Sequence, residues 1–366
     1  MARAKRKPAD VTSKALLFPA GSAIEAAPEP NPHLPVRSRV LAAARKHLDR
    51  FAALESKVLK GSSPNAIHDI RVASRRLQQI LDLLYPAPPP KIRRLRRTVR
   101  RCRRALSIVR NHDVLLARAD RMLRRKKMPR REAWETFHEY LEERRERSFR
   151  KASRRVSKLN LPTIYIRLRE NLGTHSGPRA PVATVGYPAA AGADGSDAPL
   201  RGKIETALEQ TWSSLQGCVN QAQDARDAAA LHAVRIAAKK IRYLIEVIHM
   251  LQAPGSDQAL RWLRRVQRHL GDWHDLEVLE ETMLEMVARS GILEQRLELA
   301  MEIEKVVLQN RKRKQAYEKR FFQMSESSGE WERLGRWVQD YLSADPSGPM
   351  RIGARGYSAA LPPSSS

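Results

Sequence analysis

A chain of 366 residues is long enough for two ordinary domains, and its 68 lysine and arginine residues against 40 acidic ones give a formal net charge of +28. Such an excess of positive charge attracts polyanions, so nucleic acid, inorganic polyphosphate, an acidic membrane surface and an acidic protein are candidate partners. Aromatic residues make up only 5% of the chain, which argues against a surface built to stack bases.

The two ends of the chain and one internal segment lack helical or strand periodicity. Residues 1–33 combine Pro, Ala and charge, and we predict a disordered basic tail there. Their apolar run Ala-Leu-Leu-Phe is too short for the core of a signal peptide. Residues 171–199 are rich in Gly, Ala and Pro and predict a linker, and residues 343–366 predict a second disordered tail. No segment approaches the roughly 18 apolar residues of a spanning helix, so we expect a soluble cytoplasmic protein that does not bind membranes.

Between these segments, apolar residues recur at intervals of three and four, which predicts amphipathic helices and no strands. A first unit, residues 34–170, contains predicted helices at about 35–60, 64–85, 91–126 and 131–158. A second unit, residues 200–342, contains predicted helices at about 200–223, 228–251, 256–289 and 291–325. Short breaks rich in Pro or Gly favour antiparallel neighbours. The two cysteines, Cys102 and Cys218, lie in apolar helical patterns and are expected to be reduced thiols.

The two units repeat one sequence pattern at a separation of 164 residues. The string LSIVRNHDVL at 106–115 falls on LGDWHDLEVL at 270–279, and the apolar residues Ile67 and Leu77 fall on Leu231 and Ile241. One register held over about eighty residues without a gap indicates an internal duplication. We therefore predict an all-α protein of two tandem four-helix bundle units.

The second helix of each unit carries a basic row beside its apolar stripe. The row consists of His68, Arg71, Arg75 and Arg76 in the first unit and of His232, Arg235, Lys239 and Lys240 in the second. Spacings of three and four bring the histidine and the next two cations to one side of the helix. Ser63 and Asp227 are the expected N-caps, so each histidine lies in the early turns, where the helix dipole favours an anion.

Four like charges within ten residues destabilise a helix unless something neutralises them. In the first unit Asp69 lies beside the row, but the matching residue of the second unit is Ala233. The basic row is therefore present in both units, whereas the acidic residue next to it is present only in the first. This favours neutralisation of the row by an external anion over neutralisation by a local salt bridge.

The third helix of each unit is still more basic. Residues 91–104 contain nine basic residues and no acid. Arg93, Arg97, Arg100 and Arg104 fall on one line, and we count Arg101 beside them as part of this basic line. The second unit keeps Arg261, Arg264, Arg265 and Arg268 at the positions of Arg97, Arg100, Arg101 and Arg104. An apolar stripe fixes the opposite side in the bundle, so the line faces outward or toward a groove between the units. Guanidinium groups match phosphate oxygens and stay charged at any cellular pH.

The sequence resembles the CHAD family, the conserved histidine α-helical domain. The resemblance rests on the strings IHDIRVASRRL and LHAVRIAAKKIRYLIEV in the second helix of each unit, and on LSIVRNHDVL and LGDWHDLEVL one helix later. The resemblance covers about residues 35–340. It implies two four-helix units related by a pseudo-twofold axis, with a basic cleft between them that binds inorganic polyphosphate. It also implies association with polyphosphate granules, no metal or other cofactor and no enzymatic activity. The polyphosphate contacts would come from the two basic rows and the basic lines, and one departure from the family pattern is Asn111, where the second unit has Asp275.

Three other interpretations remain open. The dipeptide His-Asp occurs at 68–69, 112–113 and 274–275, as in metal-dependent phosphohydrolases of the HD superfamily, but at positions that do not match between the units. The net charge also gives affinity for nucleic acid at low salt, although no helix-turn-helix, zinc or RNA-binding signature is present. The third alternative is a scaffold that anchors to granules and recruits other proteins through its tails.

Overall fold

A computed structural model of the protein describes residues 34–61, 63–159, 161, 165–166, 169, 197–289, 291–326 and 329–344. Within these ranges the regular structure is α-helical and no strand forms, which confirms the predicted all-α class. No helix in this part of the chain combines the length and apolar character needed to cross a bilayer. The predicted tail at 1–33, residues 171–196 of the predicted linker and residues 345–366 of the second tail lie outside the described residues.

The described helices before the predicted linker follow the sequence pattern with one interruption. They are α1 (Val36–Lys60), α2 (Pro64–Leu84), α3 (Pro90–Ala105), α4 (Ser107–Leu123) and α5 (Arg131–Ser157). The helix predicted over 91–126 is divided at Leu106, whose φ of −87° and ψ of 0° end α3 and begin α4. Leu106 is fully buried, so the break is fixed by packing around an apolar side chain rather than by a Gly or Pro.

The described helices after the predicted linker contain one element that the sequence prediction missed. They are α6 (Ala198–Ala225), α7 (Ala228–Met250), α8 (Ser256–Arg289), α9 (Ile292–Gln295), α10 (Leu297–Glu326) and α11 (Gly329–Ser343). The helix predicted over 291–325 is divided at Arg296 into the single turn α9 and the long α10. The missed helix is α11, which buries Leu334 and Val338 against the first core described below.

The helices that carry the two basic rows begin where the sequence predicts. The Ser63 hydroxyl accepts a 3.5 Å hydrogen bond from the Ala66 N–H at the start of α2, and the Asp227 carboxylate accepts a 2.7 Å bond from the Ala230 N–H at the start of α7. Each cap satisfies a backbone donor that has no partner within the helix. The same cap therefore appears in both halves at the predicted separation.

Two hydrophobic cores hold the helices together, and each contains helices from both halves of the chain. The first core unites α1, α2, α3, the beginning of α4 and the end of α5 with α6, α7, the beginning of α8, the end of α10 and α11. The second core unites α4 and the beginning of α5 with the end of α8, α9 and α10. The predicted units 34–170 and 200–342 thus contribute to both cores rather than building one core each.

A band of charged residues separates the two cores. The long helix α8 passes through it, since Trp273 belongs to the first core and Leu279 to the second. Within the band, Arg145 forms a 2.6 Å ion pair with Asp113, whose side chain is fully buried. His274 and Asp275 occupy the part of α8 between the cores, and this band adjoins the candidate site.

Candidate anion-binding site

The site begins at the junction of α2 and α3, where two arginines are fixed side by side. Arg71 of α2 donates a 2.7 Å hydrogen bond from Nη1 to the carbonyl oxygen of Arg103. Arg103 in turn donates a 2.8 Å bond from Nη2 to Oε1 of Gln78. These neutral acceptors hold the guanidinium groups in place without cancelling their charge.

Helix α7 brings the basic row of the other half to the same place. Arg75 of α2 hydrogen-bonds to the hydroxyl of Tyr243, and the guanidinium of Arg242 lies 4.6 Å from the centre of the Tyr243 ring. Burial alone would raise the pKa of Tyr243, but the charges of Arg75 and Arg242 lower it below its ordinary value. The buried ring of Tyr243 therefore lies between Arg75 of the first half and Arg242 of the second half.

Burial and the closeness of these cations lower the pKa of Lys239 and of Arg71. Burial, together with the charges of Arg235, Arg75 and Arg71, lowers the pKa of Lys239 to about 6. The pKa of Arg71 falls to about 9 because of burial and the charges of Arg75, Arg103 and Arg110. Since like charges disfavour the charged form only at short range, α2 and α7 place their rows within reach of each other.

Helices α4 and α8 close the site with one more cation and a carboxylate. Burial raises the pKa of Asp275 to about 6, although the charges of Arg235 and Arg110 act in the opposite direction. We call the seven cations that meet here the central basic cluster: Arg71, Arg75, Arg103, Arg110, Arg235, Lys239 and Arg242. Carboxylates reach it at its margin, with Glu246 paired to Arg242 at 3.4 Å and Asp69 and Asp113 acting on Arg110.

Several guanidinium groups of the cluster are incompletely hydrogen-bonded. Nη1 of Arg103, Nε of Arg235 and Nε of Arg242 are shielded from solvent and have no hydrogen-bond partner among the described residues. A buried donor left without a partner costs about 1–3 kcal/mol. An anion with several oxygen acceptors, placed among α2, α3 and α7, would satisfy these donors.

The two histidines of the basic rows lie at the edge of the cluster and have different neighbours. His68 is exposed, and partial loss of water around its ring and the charge of Arg110 lower its pKa. The ring of His232 lies 5.3 Å from that of His274, which occupies the position of Arg110 in the second half. Both histidines can therefore donate to an anion that enters the cluster, and a bound anion would favour their charged forms.

The structure separates some of the predicted site residues from the cluster. Arg76 forms a 3.0 Å ion pair with Glu246 of α7, so it connects the halves, and Lys240 is exposed on α7. The predicted basic lines are exposed on α3 and α8: Arg93, Arg97, Arg100, Arg101 and Arg104, and Arg261, Arg264, Arg265 and Arg268.

The two basic lines differ in their relation to the cluster. The charges of Arg100 and Arg104 act on Arg103, which places the α3 line at the rim of the central basic cluster. On α8, Arg261 pairs with Asp257 of its own helix and Arg265 pairs with Glu330 of α11. The α3 line is therefore an extension of the site, whereas two members of the α8 line have local partners.

Three members of the cluster were not among the predicted site residues. Arg103 belongs to the basic run of the third helix but lies off its predicted line, and Arg110 belongs to the string LSIVRNHDVL. Arg242 lies two residues after Lys240, the last residue of the second basic row. The sequence alone could have pointed to Arg110, because the alignment of the two units places it opposite His274, so both units have a basic or titratable residue at this position.

The three His-Asp dipeptides each place their aspartate near arginine. Asp69 pairs with Arg50 at 3.4 Å, Asp113 pairs with Arg145, and Asp275 lies near Arg235. In the part of the chain that the structure describes, no group of three or more His, Cys, Asp or Glu side chains could hold a metal ion.

Comparison with known proteins identifies the architecture. The family model for the CHAD domain matches residues 42–284. The crystal structure of the CHAD domain from the plant Ricinus communis superposes with a TM-score of 0.55 at 22% identity, over 83% of this chain and 92% of that chain. A search of curated proteins found no similar sequence. Because the family model matches well over half of its residues, the chain belongs to the CHAD domain family.

Proposed function

We propose that the protein binds inorganic polyphosphate in the central basic cluster. The observation that carries the proposal is the convergence of seven cations, supplied by α2, α3 and α4 of one half and α7 of the other, which outnumber the carboxylates Asp275, Asp69, Asp113 and Glu246 beside them. A chain of phosphates would offset the mutual repulsion that, after burial, lowers the pKa of Lys239 and Arg71. Release of small counterions supplies a further driving force.

The chemistry of the cluster suits phosphate oxygens rather than bases. The forked donors of Arg103, Arg235 and Arg242 retain unpaired N–H groups that phosphate oxygens can accept. The aromatic ring that we place in the cluster is Tyr243, which is buried and already covered by Arg242. A ligand that offers charge without a flat ring therefore fits best, and the α3 line gives its chain a path toward the surface.

The membership of a binding-type domain family supports a role in binding rather than catalysis. We further propose, from the family resemblance, that the protein acts in the cytoplasm at polyphosphate granules. The test is the position of a fluorescently tagged full-length chain. Foci that disappear when cellular polyphosphate is depleted would support granule association, and foci that persist unchanged would contradict it.

The binding proposal is tested by titration with long-chain polyphosphate at about 150 mM salt, where weak contacts to any polyanion are suppressed, with duplex DNA as competitor. The test variant is Arg71→Ala with Arg235→Ala, which removes one cation of the cluster from each half. The matched control is Arg147→Ala with Arg150→Ala, since both are exposed on α5 and paired with glutamates of their own helix.

We expect the test variant to lose at least tenfold in affinity for polyphosphate while the control changes less than threefold. Binding that resists competition by DNA would identify polyphosphate as the preferred ligand. If DNA competes equally and both variants behave alike, binding is diffuse attraction by net charge and the non-specific nucleic-acid interpretation is correct.

A further inference from the structure

The second core, which contains no residue of α2, α3 or α7, leaves several large apolar side chains exposed on its helices. Leu297, Met301 and Leu308 of α10 are 63%, 49% and 46% exposed, and their spacings of four and seven place them on one face of the helix. Leu284 of α8 and Leu293 of α9 are also exposed, at 47% and 57%. We call these five residues the α10 patch.

The α10 patch is not needed for the core of its own subunit. The opposite side of α10 already supplies Leu299, Ile303 and Val307 to the second core. Grouped apolar side chains on a surface mark sites of interaction, whereas single ones are ordinary.

The charges that flank the patch are divided along α10. Glu298 and Glu304 are exposed in its first part, and Lys305, Arg311 and Lys312 are exposed after them, with Arg311 also paired to Glu280 of α8 at 2.7 Å. The helix therefore presents an acidic beginning and a basic continuation on either side of its apolar face. A helix of this kind is complementary to itself only when the second helix runs in the opposite direction.

We propose that a second copy of this chain docks on the α10 patch, with the two α10 helices antiparallel about a twofold axis between Glu304 and Lys305. In that arrangement Met301 lies against Leu308 of the second copy, and Glu304 lies against Lys305 of the second copy. Each contact occurs twice, as a twofold interface requires. The same register brings Glu298 toward Arg311 of the second copy, whereas a parallel arrangement would oppose like charges.

The size of the contact sets the expected strength. Residues 297–312 span about 24 Å of helix at 1.5 Å per residue. Such a contact lies near the small end of specific interfaces, about 1,200 Å². The dimer should therefore dissociate on dilution.

The test is sedimentation of the full chain over a range of concentrations. We expect a reversible monomer–dimer equilibrium that Met301→Glu with Leu308→Glu shifts to monomer, with at least a tenfold increase in dissociation constant. Circular dichroism and affinity for short polyphosphate verify that these variants remain folded, because none of these residues belongs to the central basic cluster.

A charge exchange tests the antiparallel register without removing apolar groups. Glu304→Lys alone and Lys305→Glu alone should weaken the dimer, because each opposes like charges across the axis. The double exchange, Glu304→Lys with Lys305→Glu, should restore it. A wild-type chain that stays monomeric at high concentration, for instance because another part of the chain covers the patch, overturns the proposal. A double exchange as weak as the single ones overturns the register.

Discussion

Lys239 and Asp275 are two residues of the site whose pKa lies close to neutral pH. Burial and the charges of neighbouring cations lower the pKa of Lys239 to about 6, and burial raises that of Asp275 to about 6. Both groups therefore respond to a bound polyanion, which favours the ammonium form of Lys239 and the neutral form of Asp275. Binding takes up protons wherever these forms are not already populated.

The first prediction is that polyphosphate affinity rises as pH falls from 8 to 6. A polyanion raises the pKa of Lys239 above its free-state value of about 6, so the contribution of its charge is fully present below pH 6. That contribution is lost as pH rises through the higher pKa of the bound state. Isothermal titration in buffers of different ionisation enthalpy measures the proton uptake.

Lys239→Arg is the matched variant for this prediction, because a guanidinium keeps its charge over the whole range. Its affinity should depend less steeply on pH than that of the wild type. An identical pH profile for the two proteins would show that Lys239 remains charged in the free protein or takes no part in binding.

The second prediction concerns the carboxylate among the cations. Asp275→Asn removes the charge that opposes an incoming phosphate at Arg235 and Arg110, so polyphosphate affinity at pH 8 should increase at least threefold. The measurement is the same titration, with thermal unfolding of the free protein as the check on folding. Weaker binding by a folded variant would instead show that Asp275 positions the guanidinium groups.

At the scale of elements, the helix starts could be predicted from sequence and some of the breaks could not. Ser63 and Asp227 predict the starts of α2 and α7 correctly because an N-cap is a local interaction within one helical turn. The division at Leu106 carries no Gly or Pro: Leu106 and Val109 still belong to the first core, and α4 reaches the second core only at Leu115. The sequence prediction missed α11, although this helix is amphipathic and buries Leu334 and Val338 on one side.

The third prediction concerns the two caps. Asp227→Ala should lower the free energy of unfolding by about 1 kcal/mol, and Ser63→Ala by less, because the Asp227 bond is 2.7 Å and the Ser63 bond 3.5 Å. Chemical denaturation measures both losses. Ser213→Ala, at an exposed position inside α6, is the control and should be nearly neutral. Equal losses in all three variants would show that the caps contribute nothing specific.

The same limit of local information applies to the site. Helical spacing and the repeat predicted that Arg71, Arg75, Arg235 and Lys239 share a chemical role, and the structure brings these four together. The spacing of residues along a helix shows which of them share a face, but it does not show which other helix that face contacts. Arg76 therefore turned out to pair with Glu246, and the placing of Arg110 beside α2 and α8 required the assembled fold.

For the whole molecule, the decisive feature is that each core takes helices from both halves. The fourth prediction follows: a fragment of residues 34–170, although it contains a full predicted unit, should not unfold cooperatively. It lacks α6 and α7 for the first core and α8 and α10 for the second. Calorimetry on this fragment and on residues 34–344 tests the point. A sharp thermal transition in the short fragment would show that one half is an independent domain.

The shared cores also determine how the chain must emerge from the ribosome. The second core pairs α5, which ends at Ser157, with the part of α8 that runs to Arg289. At about 5–20 residues per second, roughly 7 to 26 seconds pass between the synthesis of these two points. During that interval Trp134, Phe137 and Leu141 have no partners from the later helices. Until the second half has been made, the nascent first half therefore exposes these apolar side chains beside its strongly basic α3.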